Sequence, residues 1–154
     1  MEKIELSKVI HEELIIAGTK AKSKAEIIDQ LGQLLEEKGY VTSADEFIKD
    51  VYLREEEGET GIGQGVAIPH GKSTAVKETT VAIAVLDQEI EWETLDGKGV
   101  KMVIMFAVKD SDANTTHVLL LQQVAILLAN DTFIESAKNV ASVDALYQLI
   151  MEFQ

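Results

Sequence analysis

The 154-residue sequence contains no cysteine, a single proline and a single arginine. Without cysteine it cannot form a disulfide, a thiolate nucleophile or a cysteine-ligated zinc site. It also has no internal repeat and no Pro-rich or Ser-rich segment that would divide it. We therefore expect one ordinary globular domain spanning residues 1–154, in the cytoplasm.

Positive charge is scarce: 14 Lys and Arg stand against 27 Asp and Glu, for a formal net charge of −13. Nucleic acids and anionic membrane surfaces require clustered basic residues, so neither is an expected partner. A basic protein surface is a better partner for this chain. Solubility alone is the alternative explanation of the acidity.

Long apolar runs are also missing. Met1 is followed by charged residues rather than by the apolar region of a signal peptide. The most apolar stretch, Val118–Ala129, carries two glutamines and is too short to span a bilayer. We expect a soluble, unprocessed protein with no direct membrane insertion.

Helix signals recur along the chain. Ser23 and Ser43 each precede a glutamate by three residues, the spacing of a capping box, and each opens a helical apolar pattern. The second of these helices is predicted to end near Arg54. A long apolar helix is predicted over about 115–129, opened by Asp112 or Asn114. The candidate caps of two closing helices are Asp131 and Ser142.

Strand signals lie between the helices. The segments predicted as strands are Leu14–Ala17, Val66–Ile68, Thr80–Leu86 and Lys101–Val108. The last two are continuously apolar, as in strands covered on both faces. Ile90–Gly99, with its Asp96-Gly97 turn, indicates a small hairpin or edge element. The predicted fold is α/β: a three-layer sandwich whose mixed, mostly parallel sheet has about five strands, with helices on both faces.

Rare residues concentrate between Arg54 and His70, which hold the only arginine, the only proline and one of three histidines. With Gly71, this segment also holds five of the ten glycines. Glycine permits close backbone approach, and arginine offers a planar, permanently charged donor group. The combination indicates an oxyanion or phosphoryl site, although such glycines can also simply turn a chain.

Two histidines have the chemistry for phosphoryl transfer. His70 follows the glycine-rich segment, and His117 falls in the first turn of a helix, where free N–H groups favour anions. A neutral imidazole is a good nucleophile near neutral pH. A zinc site of both histidines with His11 matches no metal motif. The acidic run Glu55–Glu57 is interpreted as a solvated helix end.

Nucleotide-binding motifs are not present. Gly71-Lys72-Ser73 imitates the end of a phosphate-binding loop, but Val66 stands where that loop needs glycine. Gly61, Gly63 and Gly65 are spaced by two residues, unlike the glycines of a dinucleotide fingerprint.

The segment GETGIGQGVAIPHGK, Gly58–Lys72, resembles the signature of the phosphoenolpyruvate-dependent sugar phosphotransferase system (PTS) enzyme IIA domains of the fructose/mannitol type. Arg54 and His117 match an upstream arginine and a helix-opening histidine of that family. The resemblance covers nearly all of the chain, and its form is most similar to the fructose branch.

This resemblance implies a phosphoryl carrier. His70 would accept phosphate on Nε2 from the phosphocarrier HPr and pass it to an enzyme IIB domain that serves a membrane IIC permease. His117 and Arg54 would hold the phosphoryl oxygens, with no cofactor and no metal. The phosphoryl-binding loop would comprise Thr60, Gly61, Gly63, Gly65 and Gly71.

One departure concerns Glu59-Thr60, where many members of the family have Ser-Thr. We expect Glu59 to face solvent or a basic partner. Two other functions remain open: a regulatory module similar to the nitrogen-related IIA proteins, and a binding domain with an incidental histidine.

Overall fold

The computed structural model of the chain describes residues 6–112 and 116–153, without the side chains of Ser7, Asp112, Thr116 and His117. The strands are β1 (Ile10–Thr19), β2 (Gly61–Gly63), β3 (Val66–Ala67), β4 (His70–Ser73), β5 (Thr80–Ile90) and β6 (Val100–Lys109). The helices are α1 (Lys24–Glu37), α2 (Ala44–Glu55), α3 (Thr116–Leu128), α4 (Asp131–Ala137) and α5 (Val143–Phe153).

All six strands belong to one sheet of order β1-β5-β6-β3-β2, with β4 also paired to β6. The pairs β1/β5, β3/β6 and β4/β6 are parallel, whereas β2/β3 and β5/β6 are antiparallel. The predicted mixed, mostly parallel sheet is confirmed. The prediction missed β2 and β4, because their sequences GIG and HGKS consist mainly of glycine and polar residues, which have low strand propensity.

Alternate residues of β5 pack on opposite faces of the sheet. Val81 and Ile83 join an apolar cluster with residues of α3, α4 and α5, and Ala82 and Ala84 join another with α1 and α2. This alternation follows from the two-residue period of a strand. The three-layer arrangement with helices on both faces is therefore confirmed.

The serine caps are confirmed. The Oγ atoms of Ser23 and Ser43 accept hydrogen bonds from the N–H groups of residues 26 and 46. Ser142 accepts from Ala145 N–H at the start of α5. Asp131 was the wrong cap for α4, because the side chain of Asn130, one residue earlier, accepts the N–H of Phe133. The suggested cap Asn114 lies outside the described residues.

The first strand is longer than its apolar core. β1 has ten residues and begins at Ile10, because Ile10 already pairs with β5 ahead of a polar segment where the register shifts before Ile15. The segment between β5 and β6 connects an antiparallel pair, as the predicted hairpin requires. Its turn places Gly97 at a φ of +70°, where glycine is favoured.

Candidate functional site

His70 is placed by a break between two short strands, β3 and β4. β3 and β4 both run parallel to β6, and Ile68-Pro69 separates them. The Pro69 carbonyl accepts the N–H of Phe106, which keeps β4 in register, and His70 pairs with the same residue. Since proline has no N–H to donate, it suits this interruption. The break sets His70 at the start of β4, where the residue is 9% exposed.

Arg54 is placed by the packing of α2 on β4. Phe47 and Val51, both fully buried, lie on the helix face that contacts Gly71. Arg54 follows Val51 by three residues and therefore lies on the same face, one turn closer to the C-terminal end. Gly71 permits this approach, because a Cβ there would lie 2.8 Å from Phe47 Cε1.

The two side chains meet at a hydrogen bond of 3.1 Å from Arg54 Nε to His70 Nε2. Arg54 Nη1 also donates to the Gly58 carbonyl at 3.2 Å. On the other side of the ring, His70 Nδ1 lies 3.1 Å from the Ile68 carbonyl oxygen. The predicted site residues His70 and Arg54 are thus brought into direct contact.

These contacts determine the tautomer of His70. A guanidinium can only donate and a carbonyl can only accept, so the proton lies on Nδ1 and the lone pair on Nε2. The nitrogen with the lone pair is the one that faces Arg54. Nε2 is therefore the ring nitrogen that could act as a nucleophile, and a group bonded to it would lie beside a permanent positive charge.

His117 lies in the first turn of α3 by its backbone. Its side chain is outside the described part of the structure, so its contact with the transferred group stays a prediction.

The glycines of the predicted loop form a hairpin. Gly61 and Gly63 belong to β2, which pairs with β3 through a turn at Gln64-Gly65. Both turn residues have positive φ, +57° and +80°, as in a two-residue hairpin of type I′. The structure thus gives these glycines a backbone role, and their predicted role in holding a phosphoryl group stays untested.

Gly61 also contacts the segment that precedes β6. Its N–H donates to the Glu93 carbonyl, and its own carbonyl accepts from Leu95 N–H. A Cβ at Gly61 would lie 2.6 Å from the Glu93 carbonyl oxygen. The close approach of two backbones explains why glycine stands here.

We expect Gly61→Ala to lower the free energy of unfolding by about 3 kcal/mol, because the obstacle is backbone that cannot rotate away. Chemical denaturation measures this change. Glu59→Ala, at an exposed residue nearby, is the control and should stay within about 0.5 kcal/mol of the parent protein. A Gly61→Ala protein as stable as the control would contradict this account of the contact.

A largely buried cluster of polar side chains includes Glu55, the residue after Arg54, and we call it the Lys24 network: Lys24, Glu55, Thr60 and Trp92. Lys24 Nζ contacts Glu55 Oε1 at 2.6 Å, and Thr60 Oγ1 donates to Glu55 Oε2 at 2.7 Å. Trp92 Nε1 donates to Thr60 Oγ1 at 3.1 Å. The Thr60 hydroxyl therefore donates its hydrogen bond to Glu55 and accepts one from Trp92.

The network corrects the interpretation of Glu55 as part of a solvated helix end. Its side chain is only 7% exposed, whereas Glu56 and Glu57 are exposed as expected. Glu59 is exposed too, which confirms that prediction. The sequence offered no signal for the Lys24–Glu55 pair, because 31 positions separate the two residues and neither belongs to a motif with the other.

Burial alone would lower the pKa of Lys24, but hydrogen bonds to Glu55 and Glu93 outweigh it and raise that pKa above its ordinary value. A lysine whose pKa is raised on folding contributes its full stability at pH values below the unfolded pKa. That contribution is lost as the pH rises through the folded pKa. The contribution of the charged Lys24 is thus present at neutral pH and is lost in alkali.

A cavity of about 780 Å³ lies beside the network, with Lys24, Trp92 and Glu93 in its lining. His70 is not part of that lining. A group held covalently on a ring nitrogen needs no enclosing cavity, so we locate the chemistry at the Arg54–His70 contact and not at this cavity.

The packing at Gly71 gives a direct test of how Arg54 is placed. We expect Gly71→Ala to lower the free energy of unfolding by about 2 kcal/mol, because the methyl group meets the buried Phe47 and Val51. Any chemistry that needs Arg54 beside His70 should slow about tenfold as α2 is displaced. Chemical denaturation measures the first effect, and the rate of histidine phosphorylation measures the second.

Lys72→Ala, at the exposed neighbour of Gly71, is the matched control and should change neither quantity appreciably. A Gly71→Ala protein with the parent's stability and rate would show that α2 does not depend on this contact.

Among the described residues, no group of three His, Cys, Asp or Glu side chains is placed to hold a metal ion. In the same part of the chain, no single helix has the length and apolar character to cross a membrane. Only the pair α3 and α4, bent by 89°, meets those two criteria together.

The family model "Phosphoenolpyruvate-dependent sugar phosphotransferase system, EIIA 2" matches residues 8–153. The chain therefore belongs to this family.

Individual relatives agree with this assignment. The chain is 34% identical over 142 residues to the PTS system 2-O-alpha-mannosyl-D-glycerate-specific EIIABC component of Escherichia coli K12, covering 92% of this chain and 22% of that protein. It is 37% identical over 99 residues to the PTS system fructose-like EIIA component of the same organism, covering 64% of this chain and 65% of the relative. The chain thus spans less than a quarter of the first relative.

Among solved structures, the nitrogen regulatory protein IIA-Ntr from Neisseria meningitidis superposes with a TM-score of 0.84 at 27% sequence identity. The match covers 93% of this chain and 97% of that one. Proteins similar to this chain thus include components of PTS systems and a nitrogen regulatory protein.

Proposed function

We propose that this protein carries a phosphoryl group on His70 Nε2 between two partner proteins of a sugar phosphotransferase system. One observation supports this most directly: Nε2 holds the lone pair and lies 3.1 Å from Arg54 Nε. The bond to Ile68 keeps the proton on Nδ1, so the nucleophile needs no separate base.

The donor is the phosphohistidine of HPr. The Nε2 lone pair attacks phosphorus, and the bond between phosphorus and the donor's nitrogen breaks, returning its electron pair to the donor imidazole. The Nδ1 proton stays in place beside the Ile68 carbonyl, so phosphorylated His70 carries a cationic ring next to an anionic phosphoryl group. The protein supplies positioning and charge rather than further covalent chemistry.

Arg54 and His117 hold the phosphoryl oxygens. Phosphorylation of Nε2 replaces its hydrogen bond from Arg54, and the guanidinium is then free to donate to the new oxygens. The start of α3 adds the positive end of a helix dipole where His117 lies. The net charge of −13 suits a basic donor surface, since opposite charges raise association rates.

The acceptor is an enzyme IIB domain that serves a membrane permease. The transfer takes place in the cytoplasm, and the permease transports a fructose-type sugar. The EIIABC relative supports a permease partner, and the fructose-like EIIA relative supports the sugar class.

A regulatory role is the second candidate. The match to IIA-Ntr covers nearly all of both chains, and such a protein would use the same phosphorylation site to control partner proteins. An adjacent gene for a IIB or IIC component would favour transport, and an isolated gene would favour regulation.

Incubation with phosphoenolpyruvate, enzyme I and HPr tests the proposal. We expect one acid-labile phosphate per chain, located on His70 by mass spectrometry under alkaline conditions. Omission of HPr is the control and should leave the chain unlabelled. Phosphate found on another residue, or none with active enzyme I and HPr, would overturn the assignment.

A further inference from the structure

Arg54 is followed by several carboxylates, yet its guanidinium donates elsewhere. Glu55, Glu56, Glu57 and Glu59 come within five residues of it along the chain. Its nitrogens donate to His70 Nε2 and to the Gly58 carbonyl. Among the described residues, no carboxylate forms an ion pair with it. The charge of the chain's only arginine is therefore not neutralised by its acidic neighbours.

Among these neighbours, Glu55 carries the charge that solvent screens least, because its side chain is only 7% exposed. Both oxygens of this carboxylate already have polar partners. Oε1 contacts Lys24 Nζ at 2.6 Å, and Oε2 accepts the Thr60 hydroxyl at 2.7 Å.

Lys24 is held in place from several directions. As the first residue of α1 it reaches Glu55 on α2, Glu93 at 2.5 Å, and the face of Trp92, whose ring centroid lies 4.9 Å from Nζ. Such a contact between an ammonium and an indole face is itself favourable. These contacts hold the Lys24 ammonium beside the Glu55 carboxylate.

We propose that Lys24 is a positioning residue for phosphoryl transfer: it neutralises Glu55, so that the charge of Arg54 is reserved for the phosphoryl group on His70. Without Lys24, the uncompensated carboxylate of Glu55 would attract Arg54 and repel the incoming phosphoryl group. This inference rests on the proposed function of His70. It assigns a role in that function to a residue from α1, a helix that does not itself carry His70, Arg54 or His117.

Four proteins test it: the parent, Lys24→Met, Glu55→Gln and the double variant Lys24→Met/Glu55→Gln. We expect Lys24→Met to slow the single-turnover transfer from phospho-HPr about tenfold, as expected when a transferring group is misplaced. Glu55→Gln and the double variant should stay within about threefold of the parent, because neither leaves a buried carboxylate unpaired, and Glu93 is 65% exposed. Because the double substitution would also restore stability lost to an unpaired buried carboxylate, the transfer rates are compared under conditions in which every variant is fully folded.

Lys20→Met is the matched control, since it removes an exposed lysine near α1 and should transfer normally. Circular dichroism checks that each variant is folded. If Lys24→Met does not fold, Lys24→Gln replaces it, because glutamine also removes the charge and keeps a donor for Glu55.

The Arg54 Nε–H resonance provides a readout that needs no phosphoryl transfer, and it is unambiguous because the chain has one arginine. We expect this proton to exchange with solvent faster in Lys24→Met and at the parental rate in the double variant. If the parent protein accepts no phosphate, the proposed function fails, and this resonance alone decides the role of Lys24. Parental transfer in Lys24→Met, or a double variant as slow as Lys24→Met, would overturn the inference.

Discussion

A His70→Gln protein accepts no phosphate from phospho-HPr: this is the largest effect that we expect from one substitution. The rate should fall by at least about 10⁴-fold, the scale on which covalent catalysis is lost when its nucleophile is removed. Glutamine can still accept from Arg54 and donate to Ile68, but its amide has no nucleophilic nitrogen. The measurement is incorporation of labelled phosphate from phosphoenolpyruvate through enzyme I and HPr.

The matched control is His11→Gln. His11 lies in β1 and stacks on Tyr40, with ring centroids 5.4 Å apart. It takes no part in the Arg54–His70 contact. This variant should be phosphorylated at the parental rate. Acid-labile phosphate on His70→Gln would place the acceptor elsewhere, and His117 would be the next candidate.

Replacing Arg54 should have the second largest effect. We expect Arg54→Met to slow phosphorylation by about 10²–10³-fold, as is typical when a preorganised donor to a developing anion is removed. Arg54→Lys should recover only part of the rate. A single ammonium cannot keep both the His70 contact and the Gly58 contact that the guanidinium makes. Rapid-quench measurement of one turnover from phospho-HPr separates these rates.

Lys49→Met is the control for Arg54, because it removes a positive charge from the same helix and should leave the rate within about twofold. Parental transfer in Arg54→Met would mean that the guanidinium only orients the unphosphorylated ring. The phosphoryl oxygens would then depend on His117 and the backbone of α3.

The parts of the fold that local patterns specify could be predicted from sequence. Ser23 and Ser43 open α1 and α2 as their spacing from a glutamate indicates, and the apolar runs of β5 and β6 form the centre of the sheet. His70 and Arg54 could be singled out because rare residue types cluster around them. For these parts of the fold and for these two residues, the residue types and their spacing carried the prediction.

The remaining features depend on contacts between distant segments. β4 is a strand because β6 supplies its hydrogen bonds, not because HGKS favours extended structure. Glycine in a hairpin and glycine around a ligand look the same in sequence, so the turn at Gln64-Gly65 could not be distinguished from an anion cradle. Lys24 and Glu55 meet only after α1 and α2 have packed together.

The interruption at Ile68-Pro69 also affects which ring nitrogen of His70 carries the proton. Because the Ile68 carbonyl is part of the main chain, no side-chain substitution at Arg54 or His117 removes the acceptor that keeps the proton on Nδ1. The choice of ring nitrogen is therefore separable from the electrostatics of the site. We therefore expect a variant without Arg54 to accept the phosphoryl group slowly, but still on His70 Nε2.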